Sequence, residues 1–395
     1  MRGALSWPFL RLYMLTLLYF SANSILNVII PLKGESLGAT NTTIGIIMGA
    51  YLFTTMFFRP WAGQVIHKHG PIKVLRTILV INGFALLLYT FTGLGGYFAA
   101  RMLQGVCTAF FSMALQLGII DALPDKDRSQ GISMYSLCAS MPNIMGPLLA
   151  LGMWQTADSR YFIVVMITIA VLTGVVGYSA RMEKKEAEPA AGQPEHGAKM
   201  LHSFGHLVKN PHIFKCSVLM LTASLVFGAV TTFIPLYAMQ IESGNAAIYL
   251  MIQATAVVAA RFVLRKKIPS DGKWHSSFMM AIMLILAAGV QCVSFSAAGG
   301  TMFFYVGASL TGIAQALLYP TLTTYLTFVL PQHNRNVLLG LFIATADLGV
   351  SLGGVVMGPV ADLSSYSFMY LICAILGASM IFFAYERRKI FVGSR

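Results

Sequence analysis

Acidic residues are scarce in this sequence, and charged residues of either sign are few. Among 395 residues, 14 are Asp or Glu, 10% are charged and 57% are hydrophobic. A soluble globular domain carries about 25% charged residues, so this composition excludes a soluble protein and indicates one embedded in a membrane. Acidic residues are absent from the interiors of the first three long apolar stretches.

Paired cysteines and the short motifs of enzymes are missing as well. The five cysteines stand singly in apolar segments, so neither a disulfide framework nor a Cys-x-x-Cys site is expected. The absence of a Walker loop, a nucleotide fingerprint and a hydrolase elbow disfavours a nucleotide-driven pump and an enzyme. We expect no cofactor and no metal. His202 and His206 have the i, i+4 spacing of metal ligands, but a solvated helix on the membrane surface explains them more simply.

Long apolar stretches are what the sequence has instead. Twelve of them reach about 20 residues, the length of a membrane-spanning helix. They lie at 8–31, 42–66, 72–93, 95–121, 129–154, 159–181, 213–240, 244–266, 274–297, 299–329, 335–360 and 364–386. The predicted fold class is therefore an all-α membrane protein with twelve transmembrane helices, and no cleavable signal peptide is expected.

The net charge of +13 follows the predicted spans. Lysine and arginine collect in the loops on the side that holds both termini, whereas the loops on the other side contain only Lys33 and Arg160. This asymmetry is the positive-inside rule. We therefore predict a multi-pass protein of the bacterial plasma membrane with both termini in the cytoplasm, and we do not expect nucleic acid as a partner.

One long polar segment divides the spans six and six. It is charged and rich in Ala, Pro and Gly over its first part, which is typical of a linker. The predicted domains are an N-terminal six-helix bundle at 1–181, a cytoplasmic linker at 182–212 and a C-terminal six-helix bundle at 213–395. In transporters built from such repeats, the substrate site lies between the bundles near the midplane.

A weak internal repeat supports this division. Arg59 and Gly70 are eleven residues apart, as are Arg261 and Gly272. Pro124 and Arg128 after the fourth span likewise match Pro331 and Arg335 after the tenth. This second alignment places Ala308 opposite Arg101, so an arginine inside the fourth span belongs to the first half alone. A charge there costs about 2.5 to 3.5 kcal/mol on insertion scales and usually serves a function. Small and polar residues share its helical face, namely Gly105, Thr108, Ser112 and Gln116.

Three motifs resemble those of the major facilitator superfamily, and the resemblance extends over essentially the whole chain. The sequence GQVIHKHG at 63–70 is similar to the gating loop of that family, with His67 where aspartate is usual. Arg101-x-x-Gln104-Gly105 resembles the span-four motif, whose arginine is associated with proton transfer in exporters. Pro142-Asn143-x-x-Gly146-Pro147 resembles the span-five motif of antiporters. The resemblance implies gating roles for Gly63, His67, Gly70, Pro142, Gly146 and Pro147.

The N-terminal sequence is further similar to exporters of opine-type metallophores, compounds of the staphylopine kind. This resemblance implies proton-coupled export of a small, anionic, amino-acid-derived chelator by alternating access. A multidrug/proton antiporter of the same fold is the alternative, although the missing early carboxylates argue against cationic drugs. An importer or a receptor that transports nothing is a more distant alternative. The expected partners are the anionic substrate, protons and the lipid bilayer, and a monomer is expected.

The family fold forms its cavity from spans one, four, seven and ten, which selects the candidate substrate contacts. They are Asn23, Asn27, Arg101, Gln104, Thr108, Gln116, Thr232, Tyr237, Gln315 and Tyr319. Each polar residue among them could instead bond a neighbouring helix. Arg101 and Asp347 are the candidates for proton coupling, because Asp347 is an acid inside a span that a proton can neutralise. Arg59, Asp121 and Arg128 are expected to form a charged latch at the cytoplasmic ends of the spans.

Overall fold

The computed structural model describes residues 3–156, 158–180, 210–264, 267–269, 271–331 and 335–385. These residues form helices and no β-strand, and twelve of the helical segments are long and apolar enough to cross a membrane. The predicted all-α fold with twelve spans is therefore confirmed. The predicted linker at 182–212 lies almost entirely outside the described residues, so the domain boundaries stay a prediction.

The first six spans contain seven helices, since the fifth span is broken in two. They are α1 (Trp7–Ser36), α2 (Asn41–His69), α3 (Pro71–Phe91), α4 (Leu94–Ala122), α5 (Asp125–Ser140), α6 (Pro142–Gln155) and α7 (Ser159–Ser179). The break between α5 and α6 falls at Met141, directly before a proline that has no N–H to continue the helix. Pro142 thus divides the fifth span into two helical segments.

The second six spans contain one helix each. They are α8 (Pro211–Tyr237), α9 (Ala246–Leu264), α10 (Ser276–Gly299), α11 (Thr301–Val329), α12 (Arg335–Leu363) and α13 (Tyr366–Ala384). The weak sequence repeat has a backbone counterpart here. Gly70 and Gly272 both adopt a positive φ, of 81° and 70°, which side chains disfavour and which permits the sharp turns before α3 and α10.

The first six and the last six spans, which we call the two bundles, contact each other near one end of the helices. We name the face at which α1 begins and α13 ends the terminal face, and the other the opposite face. Small residues bring α2 and α12 together toward the opposite face: a side chain at Gly45 would collide with the backbone of Gly354. At Gly49 an added β-carbon would lie only 2.7 Å from the carbonyl oxygen of Ser351. This near-contact of backbones closes the protein at the opposite face.

A carboxylate secures the same interface. Asp362, near the end of α12, accepts hydrogen bonds of 2.8 Å from the backbone N–H groups of Asn41 and Thr42 and one of 2.6 Å from the Thr42 hydroxyl. These N–H groups begin α2, where a helix has unpaired donors and a positive dipole end. Tyr366 adds a 2.6 Å bond to the Asn41 side chain. We call these contacts the opposite-face latch.

Candidate substrate cavity

A cavity of about 350 Å³ lies between the bundles, on the terminal-face side of their closed contact. Helices from both bundles contribute to its wall. Its polar lining consists of Asn23, Asn27, Tyr51, Thr55, Arg59, Thr108, Ser112, Gln116, Tyr135, Asn143, Thr231, Thr232 and Ser351, and its apolar lining includes Phe20, Met48 and Leu52. The described lining residues include no acid, so the cavity suits a ligand that brings carboxylates and hydrogen-bond acceptors.

Five of the predicted substrate contacts line this cavity, namely Asn23, Asn27, Thr108, Gln116 and Thr232. Thr108 is held in place by two tyrosines, because its hydroxyl lies 2.9 Å from that of Tyr19 and 3.0 Å from that of Tyr51. Gln116 is exposed at the other end of the same helical face. The polar face of α4 recognised in the sequence therefore forms one side of the cavity.

Arg101 lies behind the cavity wall and is fully buried. Its two terminal nitrogens donate bonds of 2.7 Å to the side-chain oxygens of Asn23 and Asn27, and weaker ones to Gln104 and to the sulfur of Met48. Its guanidinium carbon also lies 5.2 Å from the ring centre of Tyr51. Among the described residues it has no acidic partner, so its positive charge is solvated by amide oxygens and an aromatic face.

The remaining predicted contacts lie elsewhere. Gln104 is buried beside Arg101 and accepts a 3.0 Å bond from Tyr89. Tyr237 is packed inside the second bundle, with its hydroxyl 2.9 Å from that of Ser367. Gln315 and Tyr319 on α11 are outside the lining residues, and the ring of Tyr319 stacks on Phe342. Tyr319 thus packs against α12 of its own bundle.

One ion pair joins the two bundles at the edge of the cavity. Nε of Arg59 lies 2.8 Å from a carboxylate oxygen of Asp347. Arg59 belongs to α2 and lines the cavity, whereas Asp347 belongs to α12 and is mostly buried. Two residues that the sequence assigned to separate roles, gating and proton coupling, are therefore direct partners.

The sequence model of the Major Facilitator Superfamily matches this chain over residues 12–274 and 270–390. The chain belongs to the major facilitator superfamily. Among its relatives is the staphylopine export protein of Staphylococcus aureus, which is 55% identical over 95% of both chains. An uncharacterised major-facilitator-type transporter of Burkholderia mallei is 24% identical over 91% of this chain and 87% of its own.

Solved structures of this superfamily share the fold. A mutant of the nucleoside transporter NupG superposes with a TM-score of 0.78 at 15% identity, covering 95% of this chain and 98% of its own. Identity at this level speaks for the architecture alone. The family is one of transporters, so the expectation that this protein is not an enzyme is confirmed.

The superfamily motifs can now be placed in the structure. Gly63, His67 and Gly70 lie at the terminal-face end of α2, where His67 is exposed. In the fifth span, the buried residues Pro142, Gly146 and Pro147 approach α1. There Ser24 donates a 2.8 Å bond to the carbonyl oxygen of Pro142, and a side chain at Gly146 would collide with Ser24. These small residues allow the fifth span to pack closely on α1.

The charged latch predicted at the terminal face remains untested. The side chain of Asp121 lies outside the described residues, and Arg128 is partly buried in the second turn of α5. Arg59, the third member, instead pairs with Asp347 deeper in the membrane. The carboxylate latch that the structure does display joins the bundles at the opposite face, through Asp362.

Sequence reasoning missed the contribution of α2 to the cavity. Tyr51, Thr55 and Arg59 follow an i, i+4, i+8 pattern and therefore share one helical face. The same rule that selected the face of α4 would have selected this one. The family resemblance assigns the cavity to spans one, four, seven and ten and therefore does not include α2. Tyr135 on α5 carried no comparable signal.

Proposed function

We propose that this protein exports a small, anionic, amino-acid-derived metallophore of the staphylopine kind across the bacterial plasma membrane, in exchange for protons. The observation that carries the proposal is the Arg59–Asp347 pair beside a cavity whose described lining residues include no acid. It occurs in a chain 55% identical to a staphylopine export protein. Together with the buried Arg101, the pair leaves one formal positive charge at the cavity, which favours an anion.

The charge distribution supports one orientation of the protein in the membrane. Basic residues collect in the loops on the side of the termini, so the terminal face is the cytoplasmic one. The closed contact at the opposite face then faces the outside, and substrate enters the cavity from the cytoplasm. Transport follows when the two bundles rock about this site, breaking the opposite-face latch and forming new contacts at the cytoplasmic face. A monomer contains the whole site.

Exchange for protons requires that substrate and proton compete for one group. If an anion bound Arg59 alone, protonation of Asp347 would increase the affinity for the anion, because protonation frees the arginine. Anion and proton would then bind together, and this linkage would favour cotransport. An amino-acid-derived chelator carries a cationic nitrogen as well as carboxylates. Its carboxylate pairs with Arg59 while its cationic nitrogen pairs with Asp347, so a proton arriving at Asp347 from outside displaces the substrate.

A multidrug/proton antiporter is the second candidate, and one observation favours it. Aromatic and flexible apolar side chains, among them Phe20, Met48 and Tyr51, line part of the cavity, and such residues adapt to varied ligands. Against it, the described residues in and beside the cavity offer a lipophilic cation a single carboxylate, that of Asp347, and this carboxylate is already paired with Arg59.

Metabolite profiling of a deletion strain tests the proposal. Cells with and without the gene are compared by mass spectrometry for amino-acid-derived chelators inside the cells and in the medium. We expect such a chelator to accumulate inside the deletion strain and to be depleted outside it, with the wild-type gene restoring both levels. Equal levels in both strains, together with increased sensitivity of the deletion strain to cationic drugs, would favour the multidrug alternative.

A further inference from the structure

Two asparagines of α1 are oriented by Arg101. A guanidinium group has donors only, so the side-chain oxygens of Asn23 and Asn27, each 2.7 Å from an Arg101 nitrogen, must face it. Their Nδ2 groups therefore point away from Arg101. Both asparagines line the cavity and are only partly buried, and neither Nδ2 group has an acceptor among the described residues.

The geometry points to a carboxylate-binding site formed by the Nδ2 groups of Asn23 and Asn27, with Arg101 as the positioning residue behind them. The asparagines are four residues apart on one helix, so they lie one above the other and can donate to the two oxygens of one carboxylate. This inference rests on the proposed function and specifies how its anionic substrate is recognised.

Arg101 contributes in two ways without touching the substrate. Its fork of two donors fixes both amides, which would otherwise rotate to offer oxygen or nitrogen to the cavity. Its buried charge, which has no carboxylate partner among the described residues, also attracts an anion at short range. The site should therefore bind a substrate carboxylate more tightly than a primary amide at the same position. An N–H group of that amide would face the Nδ2 donors and find no acceptor.

Asparagine-to-aspartate substitutions test the site. Asn27→Asp keeps an oxygen for Arg101, so the variant is expected to fold and insert normally. It also replaces the outward donor with a second acceptor oxygen, so we expect the affinity of purified protein for staphylopine to fall at least tenfold. Asn210→Asp is the matched control, because the side-chain oxygen of Asn210 also serves as an acceptor, from the backbone N–H of His212 at 3.0 Å, but this residue is not among those that line the cavity. It is expected to bind staphylopine like wild type.

A second readout separates recognition from folding. Wild-type protein should prefer staphylopine over a derivative with one carboxylate converted to a primary amide. Asn27→Asp and Arg101→Lys should lose that preference, since a single ammonium cannot hold both amides. The site is refuted if Asn27→Asp binds like wild type, or if Asn210→Asp is equally impaired. If wild-type protein itself neither binds nor exports staphylopine, the proposed function fails before the site is tested.

Discussion

Removing the carboxylate of Asp362 should release the bundles at the opposite face. In Asp362→Ala the first N–H groups of α2 and the Thr42 hydroxyl lose their acceptor. Loss of a single N-terminal cap costs about 0.5 to 2 kcal/mol, and a hydrogen bond to a charged group contributes about 1.5 to 3 kcal/mol. Asp362 is exposed, so screening by water reduces the sum, and we expect about 1 to 2 kcal/mol.

This free energy acts on a conformational equilibrium, because the latch exists only while the opposite face is closed. A difference of about 1 to 2 kcal/mol changes a two-state ratio by a factor of about 5 to 30. Folding of each bundle should be unaffected, since the latch joins the bundles and lies outside their cores. The population open at the opposite face should therefore rise by that factor while the yield of folded protein stays constant.

Distance measurements between spin labels provide the assay. Labels at Leu37 and Ser364, both exposed at the opposite face and one in each bundle, report its opening in a background whose five cysteines have been replaced. Asp271→Ala is the control: this exposed acid also caps a turn and pairs with His275 at 2.9 Å, but within one bundle. The hydrogen bond from His275 lowers the pKa of Asp271, so the control also removes an ionised carboxylate. An unchanged distance distribution in Asp362→Ala would refute the latch.

Two further substitutions test the contacts between the bundles. Asp347→Asn keeps the shape of the side chain but cannot exchange a proton, so efflux should lose its dependence on an imposed pH gradient. Asp158→Asn, at the N-cap of α7, should retain that dependence. A retained response in Asp347→Asn would place the proton site elsewhere. Gly45→Ala adds a methyl group against the backbone of Gly354 and should open the opposite face in the same distance assay. Gly83→Ala, where the added carbon meets open space, should leave the distances unchanged, and closed Gly45→Ala protein would argue against backbone contact there.

The twelve spans were predictable because each depends on local composition. A helix that crosses a bilayer must satisfy its own backbone hydrogen bonds and present apolar side chains to lipid, so about 20 apolar residues suffice to identify one. The ends of the spans were predicted to within about five residues, because the limits of an apolar stretch also depend on local composition. The break before Pro142 was also local, since proline lacks the required donor.

The anomaly of Arg101 was likewise visible in the sequence, because a charge in an apolar helix is costly wherever its partners lie. Its periodicity with Thr108 and Gln116 correctly identified one wall of the cavity. What Arg101 bonds could not be read from the sequence, which left open whether it contacts an anion or couples protons. The structure turns its donors toward Asn23 and Asn27 instead of into the cavity.

The sequence alone determined the membrane environment, the number of spans and the presence of an arginine inside the fourth span. Only the tertiary structure decided that Arg59 meets Asp347 and that Asp362 meets the start of α2. These partners are roughly 290 and 320 residues apart along the chain, and no helical periodicity relates residues on different helices. Their distances follow from how two bundles dock, which small residues such as Gly45 and Gly354 permit through backbone contact.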